Sequence, residues 1–369
     1  MNSKLDTRNS KLAALAAQWV RPEIRALSAY HVPDPGALIK LDAMENPYGW
    51  PPPLVQDWLE TLRTVPLNRY PDPSGRVVRE ALREAMAIPP AYDILLGNGS
   101  DELIQMILLA VAQPGRVVLA PEPAFVMYRM IAGFVGMDYV GVPLVSTDFS
   151  LDMPALRAAI AKHQPAVVFL AYPNNPTGNL FDARQIRELI RISPGLVVVD
   201  EAYLPFAEAN MLDALAEFDN LLIMRTVSKL GLAGLRLGLL IGARGWLDEI
   251  DKVRLPYNIN VLTQASAVFA LRHKAVLDEQ AARIRAERER VYSELRAMPG
   301  LTLWPSRANF ILLRAPTGRA TAIFNALKQS GVLIKNLHGT GGVLTDCLRV
   351  TIGATEENDA LLAGLRAAL

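Results

Sequence analysis

An α/β fold built on a mostly parallel sheet is what the sequence predicts, on three observations. Two short apolar runs, 196–199 and 221–225, bracket a helical patch from Leu212 to Phe218. That is the strand–helix–strand pattern of a parallel unit of about 30 residues. From Asp93 onward, short apolar or β-branched runs alternate with helical ones almost to the end of the chain, the order expected of strands crossing back through helices. Finally, 369 residues, of which 51% are hydrophobic and 20% charged, suffice for a folded protein with a sizeable core and two domains.

Taken in order, residues 1–18 read as a loose start leading into a helix, and Tyr30-His31-Val32-Pro33 as a turn before a strand at 38–41. Pro51-Pro52-Pro53 and the stretch Asn68 to Gly75 are dense in proline, which disfavours helical backbone before it. Both are expected as extended surface arms, either plain loops or segments reaching a partner subunit. A helix follows over Val77–Met86, then a strand at 93–96, the turn Gly97-Asn98-Gly99-Ser100-Asp101, and a helix over 102–111. Strands at 116–119, 139–142 and 167–170 alternate with helices at 124–135 and 154–162. Beyond the central unit come a strand at 237–241, helices at 246–252 and 261–271, and a long charged helix at 275–298 whose Arg and Glu residues suit a solvated face. Short strands at 301–303, 309–313, 332–334 and 348–352, with helices at 320–329 and 356–368, complete the chain. No internal repeat or low-complexity tract interrupts it.

Composition narrows the function. A net charge of +1 offers neither a basic footprint for nucleic acid nor an acidic tail. Cys347 is the only cysteine, which excludes an internal disulfide and suits a reducing cytoplasm. Residues 1–10 are polar and lack the apolar stretch of a signal peptide, and no apolar run reaches the length of a membrane span. A cytoplasmic enzyme is the expectation.

The central unit carries the chemistry. Asp200 ends its first strand and Lys229 lies just past its second. Parallel neighbours bring their C-terminal ends to one edge, where ligands of open α/β sheets bind. A carboxylate and an amine are therefore presented together. A lysine amine is the side chain that condenses with an aldehyde, and a carboxylate is the usual partner of a pyridinium nitrogen. Pyridoxal 5'-phosphate (PLP) needs both. Singly, either residue is better explained as a solvated charge beside a buried strand; together with Tyr203, Ser228 and Arg236 they favour the cofactor. Ser228 and Arg236 suit a phosphate, and the glycine turn at 97–101 opens a helix whose free N–H groups attract an anion, although Asp101 could simply cap that helix. Phe125, beside Pro121-Glu122-Pro123, is placed to stack on a flat ring or to fill core. Asn175, in Pro173-Asn174-Asn175-Pro176, has an amide N–H for a phenolate oxygen, or is a turn residue for backbone reasons. Arg349 stands alone in the apolar run 347–353 and calls for an anionic partner, either a structural carboxylate or a substrate anion.

These residues resemble those of the fold-type I PLP-dependent aminotransferases, and the resemblance is closest to the histidinol-phosphate aminotransferases. It spans nearly the whole chain and is most specific in the segments 41–49, 68–71 (Asn-Arg-Tyr-Pro), 174–178, 199–203 and Ser228-Lys229. It implies a large domain over 46–272 with a mostly parallel seven-stranded sheet between helices, a smaller α/β domain over 273–369, and a leading segment, 1–45, that is part arm and part small domain. By the same resemblance, Lys229 carries PLP and moves the substrate proton, Asp200 pairs with the ring nitrogen, Tyr203 and Asn175 bond the ring oxygen, and Phe125 stacks on the ring. The phosphate falls to Ser228, Arg236, the backbone at Gly99, Ser100 and Asp101, and Tyr70 from the other subunit of a homodimer. Arg349 receives the anionic group of either substrate, with Lys335, Tyr30 and Tyr257 as further substrate contacts; no metal is implied. The expected reaction exchanges L-histidinol phosphate and 2-oxoglutarate for imidazole-acetol phosphate and glutamate, in histidine synthesis. Aromatic amino-acid aminotransfer and phosphothreonine-type decarboxylation are the alternatives within the fold. An effector-sensing regulator would need a DNA-binding segment, for which residues 1–29 are short. The chain departs from common members by a shorter interval between Lys229 and Arg236, by Met44 for asparagine, by Phe125 for tyrosine, and by Lys335 for arginine, which keeps charge but loses the bidentate fork.

Overall fold

A computed structural model describes residues 2–29 and 32–369; Tyr30 and His31 lie outside it. Among the described residues, twelve strands form two sheets. The larger contains β2 (Asp93–Gly97), β3 (Val117–Glu122), β4 (Asp138–Pro143), β5 (Val167–Ala171), β6 (Leu196–Asp200), β7 (Leu221–Thr226) and β8 (Gly238–Gly242), in the order β2-β8-β7-β6-β5-β3-β4. All its pairings are parallel except those of β8, which runs antiparallel to both β7 and β2. The smaller contains β1 (Ile39–Leu41), β9 (Thr302–Leu303), β10 (Phe310–Arg314), β11 (Val332–Asn336) and β12 (Cys347–Thr351), ordered β1-β11-β12-β10-β9.

The apolar runs read as strands because both faces of the larger sheet are covered, so no polar alternation is required. Val197 and Val199 of β6 pack on one side with Ile223 and Ile241. Leu196 and Val198 pack on the other with Phe169, Met224 and Leu240. A separate core joins the smaller sheet to the long helix Lys274–Arg296 through Ile284, Val291, Phe310, Val350 and Leu361. β1, although early in the chain, pairs in parallel with β11, Ile39 facing Val332. The chain therefore leaves the smaller sheet at Leu41 and crosses directly toward the larger one. That crossing is pinned: Met44 N donates to Thr351 Oγ1 at 3.0 Å, and Asn309 Nδ2 donates to the Met44 carbonyl at 3.0 Å. Met44 itself sits at φ +54, a left-handed conformation that costs an L-residue about 1–2 kcal/mol.

Several expectations are corrected. The prolines at 51–53 do not make an extended arm; they start the helix Pro52–Arg63, because proline is tolerated where the first N–H groups have no intrahelical acceptor. The crossover from β6 to β7 holds two 3₁₀ turns, Leu204–Phe206 and Leu212–Ala216, in place of the expected helix. Asp101 does not cap its helix: Gly99 occupies the cap with no side-chain bond, and Asp101 instead faces Arg236. Unread in the sequence was the helix Ala183–Ile192, capped by Asp182, whose carboxylate accepts from Arg184 N at 2.7 Å. Among the described residues no helix is long and apolar enough to cross a membrane.

Candidate active site

The C-terminal ends of β5, β6 and β7 open onto one cleft, and the residues lining it include Ser100, Asp101, Phe125, Asn175, Asp200, Tyr203, Ser228, Lys229 and Arg236. Each arrives by a different local device. Asp200 is the last residue of β6, so its carboxylate emerges where the apolar strand meets the cleft. Lys229 sits in a 3₁₀ turn, Ser228–Leu230, just past β7. Asn175 hangs in the proline-bracketed turn after β5, and Tyr203 follows β6 by three residues. Phe125 occupies the cap of the helix Val126–Val135.

Lys229 is half-buried, and its Nζ donates to the carbonyl of Ala43 at 3.1 Å, from the crossing segment. Burial pulls its amine down to about 8, with the Arg349 and Arg236 cations acting in the same direction and Glu45 opposing. An appreciable fraction is then neutral near physiological pH, as a nucleophilic amine requires. Asp200 is pushed the other way, up to about 6, by burial. Two hydrogen bonds oppose that rise: Tyr128 Oη donates to Oδ2 at 2.7 Å and Ala202 N donates to Oδ1 at 3.0 Å. Tyr203 is buried too, and its hydroxyl is held above the usual range, chiefly by desolvation. Asn175 Nδ2 donates to Tyr203 Oη at 3.0 Å. Arg349, on β12 of the smaller sheet, donates through Nη1 to Asn175 Oδ1 at 2.6 Å and through Nη2 to the Asp42 carbonyl at 2.9 Å. The arginine thus ties the smaller sheet, the crossing segment and the turn after β5 together at the cleft.

Opposite the amine lies a cradle. The helix Ser100–Val111 begins beside the cleft without a side-chain cap, which leaves its first N–H groups without a capping acceptor. Gly99 sits at φ +84, and a Cβ there would come within 2.6 Å of Arg236 Nη2; only glycine lets the guanidinium lie against the turn. Arg236 also reaches Asp101 at 3.2 Å. Ser228 accepts a 2.9 Å hydrogen bond from Thr226 Oγ1, which also accepts from Ser228 N. Uncapped N–H groups, a guanidinium and a hydroxyl, from residues that line one cleft, suit a phosphate.

Not every expected residue lies here. Tyr70 is 79% exposed and Tyr257 40% exposed; their rings stack on each other at 4.3 Å, and neither lines this cleft within the chain. Tyr257 borders a separate groove with Asp72, Arg79 and Arg254. Lys335 stands on β11 directly opposite Arg349, on the same face of the ladder. Tyr30 lies outside the described residues. Two contributors were not foreseen: Tyr128, one helical turn past Phe125, and the Ala43 carbonyl. The three-residue spacing from Phe125 was the available signal for Tyr128; nothing local announces Ala43.

Comparison with known proteins agrees with this geometry. Residues 37–365 match the model of the aminotransferase class I and II family. The histidinol-phosphate aminotransferase 2 of Nitrosococcus oceani is 59% identical over 351 residues, covering 95% of this chain and 97% of that protein. The histidinol-phosphate aminotransferase of Chromobacterium violaceum is 54% identical over 349 residues, again 95% and 97% of the two chains. Among solved structures, the histidinol-phosphate aminotransferase of Sinorhizobium meliloti in complex with pyridoxal-5'-phosphate superposes with a TM-score of 0.83 at 26% identity, over 95% of this chain and 97% of that one. With the family model spanning most of its length and relatives this near, the chain belongs to the class I and II aminotransferases, beside the histidinol-phosphate aminotransferases.

Proposed function

We propose that the protein binds PLP at Lys229 and transfers an amino group between L-histidinol phosphate and 2-oxoglutarate. The observation that carries the reading is the pairing, on one cleft, of a half-buried lysine whose amine is drawn down to about 8 with a buried carboxylate at the end of the neighbouring strand. The residues present fit the cofactor: the uncapped helix start, Arg236 and Ser228 for its phosphate, Asn175 and Tyr203 for its ring oxygen, Phe125 for its face, and Asp200 for its ring nitrogen. When bound, PLP supplies an electron sink for the charge left as the α-proton departs.

The chain's own groups do the rest. Lys229 would hold the cofactor through its Nζ when neutral and, once free, would act as general base that takes the substrate's α-proton and returns it on the far side of the substrate nitrogen. Asp200, as a carboxylate, keeps the ring nitrogen protonated. Arg349, already oriented by Asn175 and Asp42, receives the phosphate of one substrate or the distal carboxylate of the other, with Lys335 beside it and Tyr30 as a candidate wall for the imidazole, while Tyr257, stacked on Tyr70, would serve only a partner's site. The two substrates share one cleft in turn, which gives ping-pong kinetics.

Dimerisation belongs to the same reading. Tyr70, Leu67 and Leu255 are each more than 70% exposed, and a partner's site is where we place Tyr70. We place the domain division at 46–272 and 273–369, with 1–45 supplying β1 to the smaller sheet. A reducing cytoplasm suits the buried thiol of Cys347. The test is a panel of amino donors with 2-oxoglutarate as acceptor. Histidinol phosphate should turn over well ahead of phenylalanine and tyrosine, phosphothreonine should release no carbon dioxide, and Lys229→Ala should lose both turnover and the visible cofactor band. Preference for an aromatic amino acid, or carbon dioxide release, would refute the substrate assignment.

A further inference from the structure

We propose that Tyr128 is a positioning residue: its hydroxyl holds the Asp200 carboxylate in place for the ring nitrogen of PLP and so sets how tightly the protein grips the protonated pyridine. The inference rests on the PLP reading above and adds a residue that the reading does not need.

Tyr128 is fully buried, and its ring has no freedom to swing. It stacks on Phe169 of β5 at 4.6 Å with 6° between the planes, and meets the edge of Phe125 at 5.6 Å and 87°. Phe169 sits beside Val198 in the ladder that joins β5 to β6. The strand next to the one bearing Asp200 therefore fixes the ring, and the ring fixes the hydroxyl at 2.7 Å from Oδ2. The Ala202 N–H takes Oδ1. Each carboxylate oxygen has two acceptor sites, so two neutral donors orient the group and leave it room for a third from the cleft.

The neutrality of those donors matters. A lysine or arginine at position 128 would orient Asp200 equally well, but would cancel the charge a cationic ring nitrogen seeks. Asp101 and Glu201, both acidic, act on Asp200, and the two hydrogen bonds it accepts come from neutral groups. Packing alone does not explain the hydroxyl. Phenylalanine would fill the same space, and a buried hydroxyl is costly unless it finds an acceptor. The same helix start thus supplies Phe125 for the face of the ring and, one turn on, Tyr128 for the acid at its nitrogen.

The experiment uses the full-length apoprotein, titrated with PLP and with 1-deaza-pyridoxal phosphate, in which a C–H replaces the ring nitrogen. Binding is followed by protein fluorescence. Wild-type binding of PLP is the control; if it fails, the proposed function falls and this inference is not what has been refuted. In Tyr128→Phe the affinity for PLP should drop about tenfold, the effect of losing one hydrogen bond to a charged group, while affinity for the deaza analogue stays within about twofold. Equal losses for both ligands, or no loss for PLP, would overturn the inference and return Tyr128 to the core. Phe169→Leu, which keeps the hydroxyl but loosens the ring, gives the same comparison if Tyr128→Phe does not fold. A smaller loss confined to PLP supports the inference, and an equal loss for both ligands overturns it.

Discussion

Asp200 and Glu201 are neighbours in the chain, both carboxylates and both buried, yet they meet opposite surroundings. Glu201 pairs with Arg225 of β7 at 2.8 Å, both side chains nearly without exposure, and its Oε1 accepts from Met211 N. Burial raises its carboxyl and Arg225 works against the rise. Asp200 turns to the cleft and has only neutral donors, Tyr128 Oη and Ala202 N. One acid is neutralised inside the protein and holds strands together. The other is kept oriented, charged and unneutralised, which costs stability and leaves its charge for a ligand. Function and stability have been divided between adjacent residues, as expected where an active site opposes optimal folding.

Substitutions can break that division. The largest effect is expected from Glu201→Ala, which strands the Arg225 charge in the core: unfolding free energy should fall by about 3–5 kcal/mol in denaturant titrations, while the fraction that folds keeps its affinity for PLP. Loss of cofactor affinity with stability intact would reverse the roles assigned here. Asp200→Asn should do the opposite, with turnover down about 10²- to 10³-fold, the scale of losing one aimed electrostatic contact. The apoprotein should at the same time become more stable at pH 7, by up to about 3 kcal/mol, because a carboxyl at about 6 rather than its usual 3.8 is penalised when charged. The sign follows from the direction of the shift. A raised acid contributes stability below its unfolded value, and that contribution is lost as pH rises through about 6. Asparagine has no charge to penalise. An unchanged or lower stability at pH 7 would show that Asp200 is not strained in the apoprotein.

Lys229 sharpens the same contrast from the basic side, with a smaller effect. Its folded value, about 8, lies below the usual 10.5, so the unfolded chain binds more protons between those limits. Stability should therefore rise with pH from about 8 to 10.5 and fall as pH drops back through that window, a dependence that Lys229→Met abolishes. Capture of PLP by the apoprotein, followed by absorbance after rapid mixing, should accelerate over the same lower limit, because only the neutral amine attacks. A capture rate flat across pH 7–9 would show that the amine is not shifted.

Much of this was legible in the chain because it is local. The runs at 196–199 and 221–225 are apolar throughout, as strands covered on both faces must be. Asp200 and Lys229 stand at their C-terminal ends, the edge where parallel strands open. Proline misled at 51–53, where the reading weighed its restriction on the preceding residue and not its tolerance at a helix start. Nothing local marked β8 as the one antiparallel strand in its sheet.

The sequence by itself determined the order of the strands, the acid, the amine and the glycine turn, since each depends on residues within a few positions of one another. Only the tertiary structure decided who serves them. Arg225 comes to Glu201 across 24 residues, Tyr128 to Asp200 across 72, Arg349 to Asn175 across 174, and the Ala43 carbonyl to Lys229 across 186. A buried polar group must find a partner wherever the folded chain supplies one, and propensity, spacing and periodicity carry no information about contacts made across such distances.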